Sequence, residues 1–385
     1  MRQIPSESYD YSKIRTNVHI LSKVKSSTTR HRVMQKKIGL EEIIKMIKDK
    51  DVVLVSYNSW QENHFVSDFV KEIASKSKLK HITHSSLQID LEMIKKYRDN
   101  VGTGFQYIIS IGGGGVIDLA KILRSLNNID FEKKKITDFD SEIIHIAIPT
   151  TVGSGSEATY FATYYGSHKE SYTHKHNLPK FYCHEPAFIK SLNKDALYHS
   201  VLDGMTQAIE SIFSRESDSK SIEYSRLSIK GYIESKILTS QNYDSQKLQQ
   251  ASFNAGKAIN IAKTNIAHAI SYHLTQHHNV PHGYAVFLSL EGLLKLIEDQ
   301  SLLSKRVAEK KGTLLKLFKT NNLNEIIPLF KYIQNEIGLK EINQHITEID
   351  FLKYFALAKK SSRGSNLDID LEAISQEKIL EYFYD

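Results

Sequence analysis

The stretch Ile266 to Tyr284, IAHAISYHLTQHHNVPHGY, carries five histidines within nineteen residues. His268 sits among Ala267, Ala269, Ile270 and Leu274, the apolar surround of a packed helix. His282 lies between Pro281 and Gly283, which reads as a chain break followed by a new helix start. An imidazole near a helix N-terminus is pushed toward its neutral form, the form that binds a metal. Two such imidazoles on successive helices can converge on one ion. His277 and His278 read instead as polar residues of a surface loop. Upstream, Asp203 and Gln207 are four apart and share one helix face. A carboxylate, an amide oxygen and two imidazoles suit a divalent cation of the zinc or iron type. Taken alone, a D-x-x-x-Q pair is also what a solvated helix surface looks like.

A second chemistry is written around Gly112, Gly113, Gly114 and Gly115. They follow the apolar run Tyr107 to Ile111 and precede a helix expected from about Val116. Backbone N–H groups in such a turn approach a pyrophosphate closely, with the helix dipole behind them. A glycine run by itself is equally a tight turn. Further on, Pro149 ends another apolar run, and the hydroxyls of Thr150, Thr151, Ser154 and Ser156 suit phosphate and ribose oxygens. A polar turn would have the same composition. Glu157 reads as a brace for this loop.

The elements that must position these groups change character along the chain. Helical spacing over 39–48, a buried strand over 52–56, a helix over 62–75, a strand at 81–84, a helix over 87–100 and strands at 107–111 and 143–148 alternate. That alternation predicts a doubly wound parallel sheet, an α/β domain over residues 1–190. Residues 1–35 carry no motif and read as an edge strand or hairpin. Leu178-Pro179 and Glu185-Pro186 mark a connection. Beyond it the pattern is helical at 195–214, 218–238, 245–263, 266–278 and 283–296, giving an all-helical domain over 191–385. No low-complexity linker separates the halves, and the cleft between them is the expected ligand site.

Composition narrows the function classes. The chain has 385 residues, a formal net charge of +7 and one cysteine, Cys183. The lone cysteine excludes an internal disulfide and fits a reducing cytoplasm. MRQIPSESYD lacks the apolar core of a signal peptide, and no run approaches a membrane span, so no membrane partner is expected. The lysines are dispersed along helical faces, which argues against nucleic acid and for an anionic small-molecule substrate.

Four segments together resemble the iron-containing (type III) alcohol dehydrogenase family: GGGGVIDLAK (112–121), PTTVGSGSE (149–157), DGMTQAIE (203–210) and HAISYHLTQHHNVPHG (268–283). They occur in that family's order and roughly its spacing. The resemblance implies a dehydroquinate synthase-like fold and NAD(P)-dependent alcohol dehydrogenase or aldehyde reductase activity. It implies a divalent metal, Fe²⁺ or Zn²⁺, held by Asp203, Gln207, His268 and His282. It places a nicotinamide dinucleotide at Gly112–Gly115, Asp118, Thr150, Thr151, Ser154 and Lys169, and it implies a homodimer.

The chain departs from the pattern at several positions. Gln207 stands where the metal-dependent members have a ligand histidine, and Tyr272 where the family usually has a histidine four residues after His268. Tyr272 and the adjacent His273 are then the expected proton donors. Aligning VVLVSYNSW puts Tyr57 where the family carries a ribose-binding Asp, which leaves NADH and NADPH both open. Gly115 replaces a serine.

The segment NAGKAINIAKTNIAHAISYHLT (254–275) resembles the branch that reduces phosphonoacetaldehyde to 2-hydroxyethylphosphonate in phosphonate biosynthesis. Lys257 and Lys263 are then the candidates for the phosphonate dianion. A reductase of ordinary small aldehydes, a dehydroquinate synthase-like cyclase and a catalytically degenerate nucleotide-binding protein are the alternatives. The late segment Arg363 to Asn366 echoes a structural RxxN of the family and is assigned no chemistry.

Overall fold

The computed structural model describes residues 35–384, apart from 85–88, 126–128, 131, 133–134, 137–141, 166–168, 191, 300 and 302. The edge strand or hairpin expected within 1–35 therefore falls almost wholly outside the described residues. Residues 33–385 form one compact unit.

Strands β1 (Lys36–Lys37), β2 (Asp51–Tyr57), β3 (Lys78–His84), β4 (Tyr107–Gly112), β7 (Ile144–Pro149) and β10 (Phe181–Tyr182) build one sheet in the order β1-β10-β7-β4-β2-β3. Every pairing is parallel, with Val52 opposite Tyr107 and Gly112 opposite Pro149. The runs VVLV and IISI are apolar at every position but Ser110 because both faces of the sheet are covered. Side chains alternate between the faces. Val53, Val55 and Ile108 join Val116, Leu119 and Leu123 on one face. Val52, Leu54, Ile109 and Ile111 join Ile43, Phe69 and Phe188 on the other. Helices α3 (Leu91–Val101) and α4 (Gly114–Arg124) cover the first face, and α1 (Leu40–Ile47), α2 (His64–Lys76) and α5 (Pro186–Lys190) the second. Two short antiparallel pairs lie outside the main sheet: β5 (Ile129–Asp130) with β6 (Lys135–Ile136), and β8 (Phe161–Tyr165) with β9 (Lys169–Thr173).

The second part of the chain is helical and surrounds α6 (Lys194–Phe213). Asn193 caps α6 by accepting from the Ala196 N–H at 2.8 Å. From Val201 to Phe213 every residue of α6 is buried, the signature of a helix covered on all sides. Helices α7 (Ser219–Glu234), α8 (Ser245–Ala262), α9 (Ile266–His278) and α10 (His282–Glu298) enclose it. The loop after β7 is held against α8 by two glycines facing each other. A Cβ on Gly256 would stand 2.2 Å from the Gly155 carbonyl oxygen, and Gly155 itself has φ +55°. The Tyr232 hydroxyl on α7 fixes the same loop by donating to the Val152 carbonyl at 2.6 Å. No helix among the described residues is long and apolar enough to cross a membrane.

Candidate active site

Asp203, Gln207 and Glu210 line one face of α6 at positions i, i+4 and i+7. Opposite them, α9 begins at Ile266 after the Asn265 cap and ends at Asn279, whose left-handed φ of 55° suits an asparagine. Pro281 then caps α10, so His282 is its first residue and His268 the third of α9. One ligand atom each from Asp203, His268 and His282 lies within 4.8 Å of the other two. Gln207 donates through Nε2 to Asp203 Oδ1 at 2.9 Å, while its buried Oε1 has no hydrogen-bond partner. An unpaired buried amide oxygen beside a carboxylate and two imidazoles is the donor set a divalent cation satisfies. The residues fit a metal on that ground.

Glu210 was not singled out by the sequence, and it organises this corner. One carboxylate oxygen accepts the backbone N–H groups of Asn265, Ala267 and His268 at 3.2, 2.8 and 3.2 Å. The other pairs with His268 Nδ1. With Nδ1 held there, Nε2 faces Asp203 Oδ1 at 3.2 Å. In the sequence it closes the segment DGMTQAIE, seven residues after Asp203 on the same face.

Two carboxylates, Glu210 and Asp203, face His268, the third residue of α9. Burial lowers its affinity for a proton, but the Glu210 carboxylate, with Asp203, outweighs burial and raises its pKa to about 9. For Asp203, burial acts upward, while the bonds from His268 and Gln207 and the charge of His282 bring it to about 2.

Tyr272, a turn beyond His268 on α9, stacks on the His282 ring at 5.9 Å between centroids. His273 does not join this corner. Its ring lies 5.0 Å from Tyr354 at an interplanar angle of 3°, and it stacks on His277 at 6.1 Å. Helical geometry explains the split: Tyr272 is four residues from His268, and His273 points roughly 100° further round. The two lysines assigned to a phosphonate are also elsewhere. Lys263 follows α8 with φ 59° and pairs with Glu216 at 3.0 Å, both at the surface. Lys257 lies over the rings of Phe253 and Tyr224, at 4.5 and 5.2 Å.

The glycine turn lies where β4 leaves the sheet, between β2 and β7. Strand order reverses on either side of β2 and β4, and ligands bind at such switch points. Gly113 caps α4 without any side-chain hydrogen bond, which leaves the first-turn N–H groups for an anion. The hydroxyl loop stands beside the turn. A Cβ on Gly113 would be 3.3 Å from Thr151 Oγ1, and one on Gly114 2.6 Å from Ser154 Oγ. At Gly115 a Cβ would meet nothing within 4 Å. Thr150 donates its N–H to the Gly112 carbonyl at 3.0 Å. The cradle is thus sterically fit for a pyrophosphate.

Asp118 supports the loop. Its Oδ1 accepts from Ser156 Oγ and from Lys121 Nζ, and its Oδ2 from the Thr163 N–H at 2.9 Å. Lys121 is fully buried and also donates to Ser156, Thr159 and the Phe161 carbonyl. Burial pulls its pKa down, opposed by Asp118. Glu157 meets His184 at 3.3 Å and so braces the loop from the other side. Tyr57 ends β2, as the alignment required. Lys169 begins β9, but its side chain lies outside the described residues.

Comparison with known proteins follows the same division. The family model for iron-containing alcohol dehydrogenases matches residues 31–186. Phosphonoacetaldehyde reductase of Streptomyces viridochromogenes is 30% identical over 207 residues, which cover 49% of this chain and 52% of that protein. The match therefore spans about half the length of that relative. 4-Hydroxybutyrate dehydrogenase of Clostridium kluyveri is 26% identical over 310 residues, 76% of this chain and 82% of that protein. Among solved structures, an iron-containing alcohol dehydrogenase from Thermococcus thioreducens superposes with a TM-score of 0.77 at 19% identity, covering 91% of this chain and 97% of that one. Sulfoacetaldehyde reductase from Bifidobacterium kashiwanohense, in complex with NAD+, gives 0.74 at 19% identity, covering 91% and 95%. These two establish the fold. Residues 31–186 thus match the iron-containing alcohol dehydrogenase family model, and the chain shares the fold of the solved members of that family.

Proposed function

We propose that this protein is an oxidoreductase that uses a nicotinamide dinucleotide and a divalent cation to reduce a small anionic aldehyde to its alcohol. The pair we favour is phosphonoacetaldehyde and 2-hydroxyethylphosphonate. The observation that carries the reading is the convergence of Asp203, His268 and His282 within 4.8 Å, beside the unpaired Gln207 oxygen. The named relatives act on a phosphonate and a carboxylate, and the structural neighbour on a sulfonate. Those names share a short chain with an anionic end.

In this reading residues 1–190 supply the dinucleotide and residues 191–385 the metal and substrate groups. When bound, the dinucleotide supplies hydride and the cation supplies Lewis acidity toward the carbonyl oxygen. The N–H groups at the start of α4 would hold the pyrophosphate, with Thr151 and Ser154 beside them. Asp203, His268 and His282 would hold the cation, and the Gln207 oxygen would be a fourth donor. Glu210 keeps the His268 ring oriented. Tyr272 brings a hydroxyl-bearing ring beside His282 and is the proton donor we favour over His273. A homodimer and a cytoplasmic location complete the proposal.

The intact donor set argues against a degenerate nucleotide-binding protein. Stoichiometric iron or zinc in the purified protein separates the two. The direct test is oxidation of NADH and of NADPH with phosphonoacetaldehyde, propanal and succinic semialdehyde. A kcat/KM highest for phosphonoacetaldehyde is expected. Turnover of propanal alone would leave an ordinary aldehyde reductase, and no oxidation after metal loading would favour the degenerate reading.

A further inference from the structure

The segment Arg363 to Asn366, assigned no chemistry from the sequence, lies against the start of α9. Asn366 donates through Nδ2 to the carbonyls of Ala262 and Thr264 at 2.8 and 3.1 Å. Its own carbonyl accepts from the Arg215 N–H at 2.7 Å, and the neighbouring Leu367 bridges to Ser214. Ser361 Oγ accepts from the Gly364 N–H at 3.0 Å. The backbone on either side of Arg363 is therefore tied down.

That anchoring sets the guanidinium over Tyr272, with its carbon 5.3 Å from the ring centroid. One Nη donates to the Thr264 hydroxyl. Tyr272 in turn stacks on His282, one of the three converging ligands. Tyr272 thus contacts both the half-buried Arg363 and His282 of the metal corner.

The other cations near this region are committed or differently placed. Lys263 pairs with Glu216 and Lys310 with Asp368. Lys257 rests on two aromatic rings on α7 and α8. Among the described residues, Arg363 meets a hydroxyl and a ring, and no carboxylate pairs with it. A guanidinium carries a planar fork of donors, and one bond to Thr264 leaves most of that fork unused. Its position over the Tyr272 ring and its bond to Thr264 restrain it, so less order is lost when it binds an oxyanion.

We propose that Arg363 is the residue that reads the anionic end of the substrate, in place of Lys257 and Lys263. The inference rests on the anionic-aldehyde reading above and deepens it. The ligand class is a short aldehyde ending in a phosphonate, sulfonate or carboxylate. Two N–H donors of the guanidinium would engage two of its oxygens.

The test compares wild type with Arg363→Met and Arg363→Lys on phosphonoacetaldehyde, sulfoacetaldehyde, succinic semialdehyde and propanal. Each preparation is its own control through the ratio of kcat/KM for phosphonoacetaldehyde over propanal. Arg363→Met should lower that ratio by about 100-fold, the loss of a charge-assisted bidentate contact. The loss should appear chiefly in the KM for phosphonoacetaldehyde. Arg363→Lys should restore part of the ratio, because it keeps charge without the fork. Calorimetric binding of phosphonoacetate should weaken in the same order. An unchanged ratio in a folded Arg363→Met variant overturns the inference, as does an equal loss on all four aldehydes. Should Arg363→Met not fold, Arg363→Lys decides: a fall in the ratio supports the assignment and an unchanged ratio overturns it. A wild-type enzyme that prefers propanal defeats the anionic-aldehyde reading itself and this inference with it, and that result is visible before any variant is made.

Discussion

In the function proposed above, the glycine turn and the metal corner would solve the same problem, holding a charged ligand, by different means. At the turn the working groups are backbone N–H donors at the start of α4, and side chains matter mostly by being absent. At the corner the working groups are side chains on α6, α9 and α10, and the backbone matters only in aiming them. The turn is assembled from consecutive residues. The corner is assembled from residues far apart in the chain, such as Asp203 and His268, 65 positions apart. The first should therefore be sensitive to bulk and the second to charge and orientation.

The largest effect is expected from His268→Ala. It removes a ligand and leaves Glu210 and Asp203 facing each other without a cation between them. Turnover should fall roughly 10³-fold or more, on the several kcal/mol a Lewis acid contributes. Metal content should drop while the dinucleotide dissociation constant holds. Full activity in this variant would remove the metal corner from the mechanism.

Glu210→Gln tests orientation with all ligands retained. Loss of such a supporting carboxylate lowers metal affinity by about 10- to 100-fold. Chelator titration followed by metal analysis reads it directly. Because Glu210 also accepts three backbone N–H groups at the start of α9, a lower Tm is expected alongside. An unchanged affinity would mean that His268 needs no such partner.

Within the turn, bulk should discriminate between neighbouring glycines. Gly114→Ala puts a methyl 2.6 Å from Ser154 Oγ, whereas Gly115→Ala places one in open space. We expect about 10-fold weaker NADH binding from the first and under about twofold from the second, with metal content the same in both. Equal losses at both positions would show that side-chain volume does not control the cradle.

The smallest effect concerns the imidazole that the corner excludes. Burial, with the charges of His277 and Lys353, lowers the His273 pKa to about 4, below the ordinary value of 6.5. The unfolded chain binds this proton more readily than the folded one between those values. The resulting stability is complete above about pH 6.5 and is lost as pH falls toward 4. His273→Phe keeps a flat ring against Tyr354 and should make Tm fall less steeply over that window. A variant as acid-sensitive as the wild type would assign the loss to other groups.

How far the sequence could be read tracks the same contrast. The alternation that built the sheet was legible, because both-face burial writes VVLV and IISI as apolar runs broken only by Ser110. β8 and β9 were not anticipated: FATYY and KESYT mix polar and aromatic residues, and they pair with each other instead of joining the sheet. Helix α9 was placed correctly from its apolar spacing, yet that spacing did not distinguish Tyr272 from His273 as a neighbour of the ligands. Lys257 and Lys263 looked alike as charges on one helix. Only the fold turned one onto aromatic rings and the other to Glu216 at the surface.

By itself the sequence determined the strand-turn-helix cradle and the kinds of atoms offered to a metal. Both are local: a glycine's missing side chain and an imidazole's lone pair do not depend on distant residues. The tertiary structure decided which groups Glu210, Asp118 and Arg363 meet, and that carboxylates raise the proton affinity of His268. Those outcomes depend on which helix crosses which, and pairs such as Glu210 with His268, 58 residues apart, exist only once α6 and α9 have packed. Burial then multiplies the consequence, because a carboxylate beside a histidine counts for far more where water is excluded.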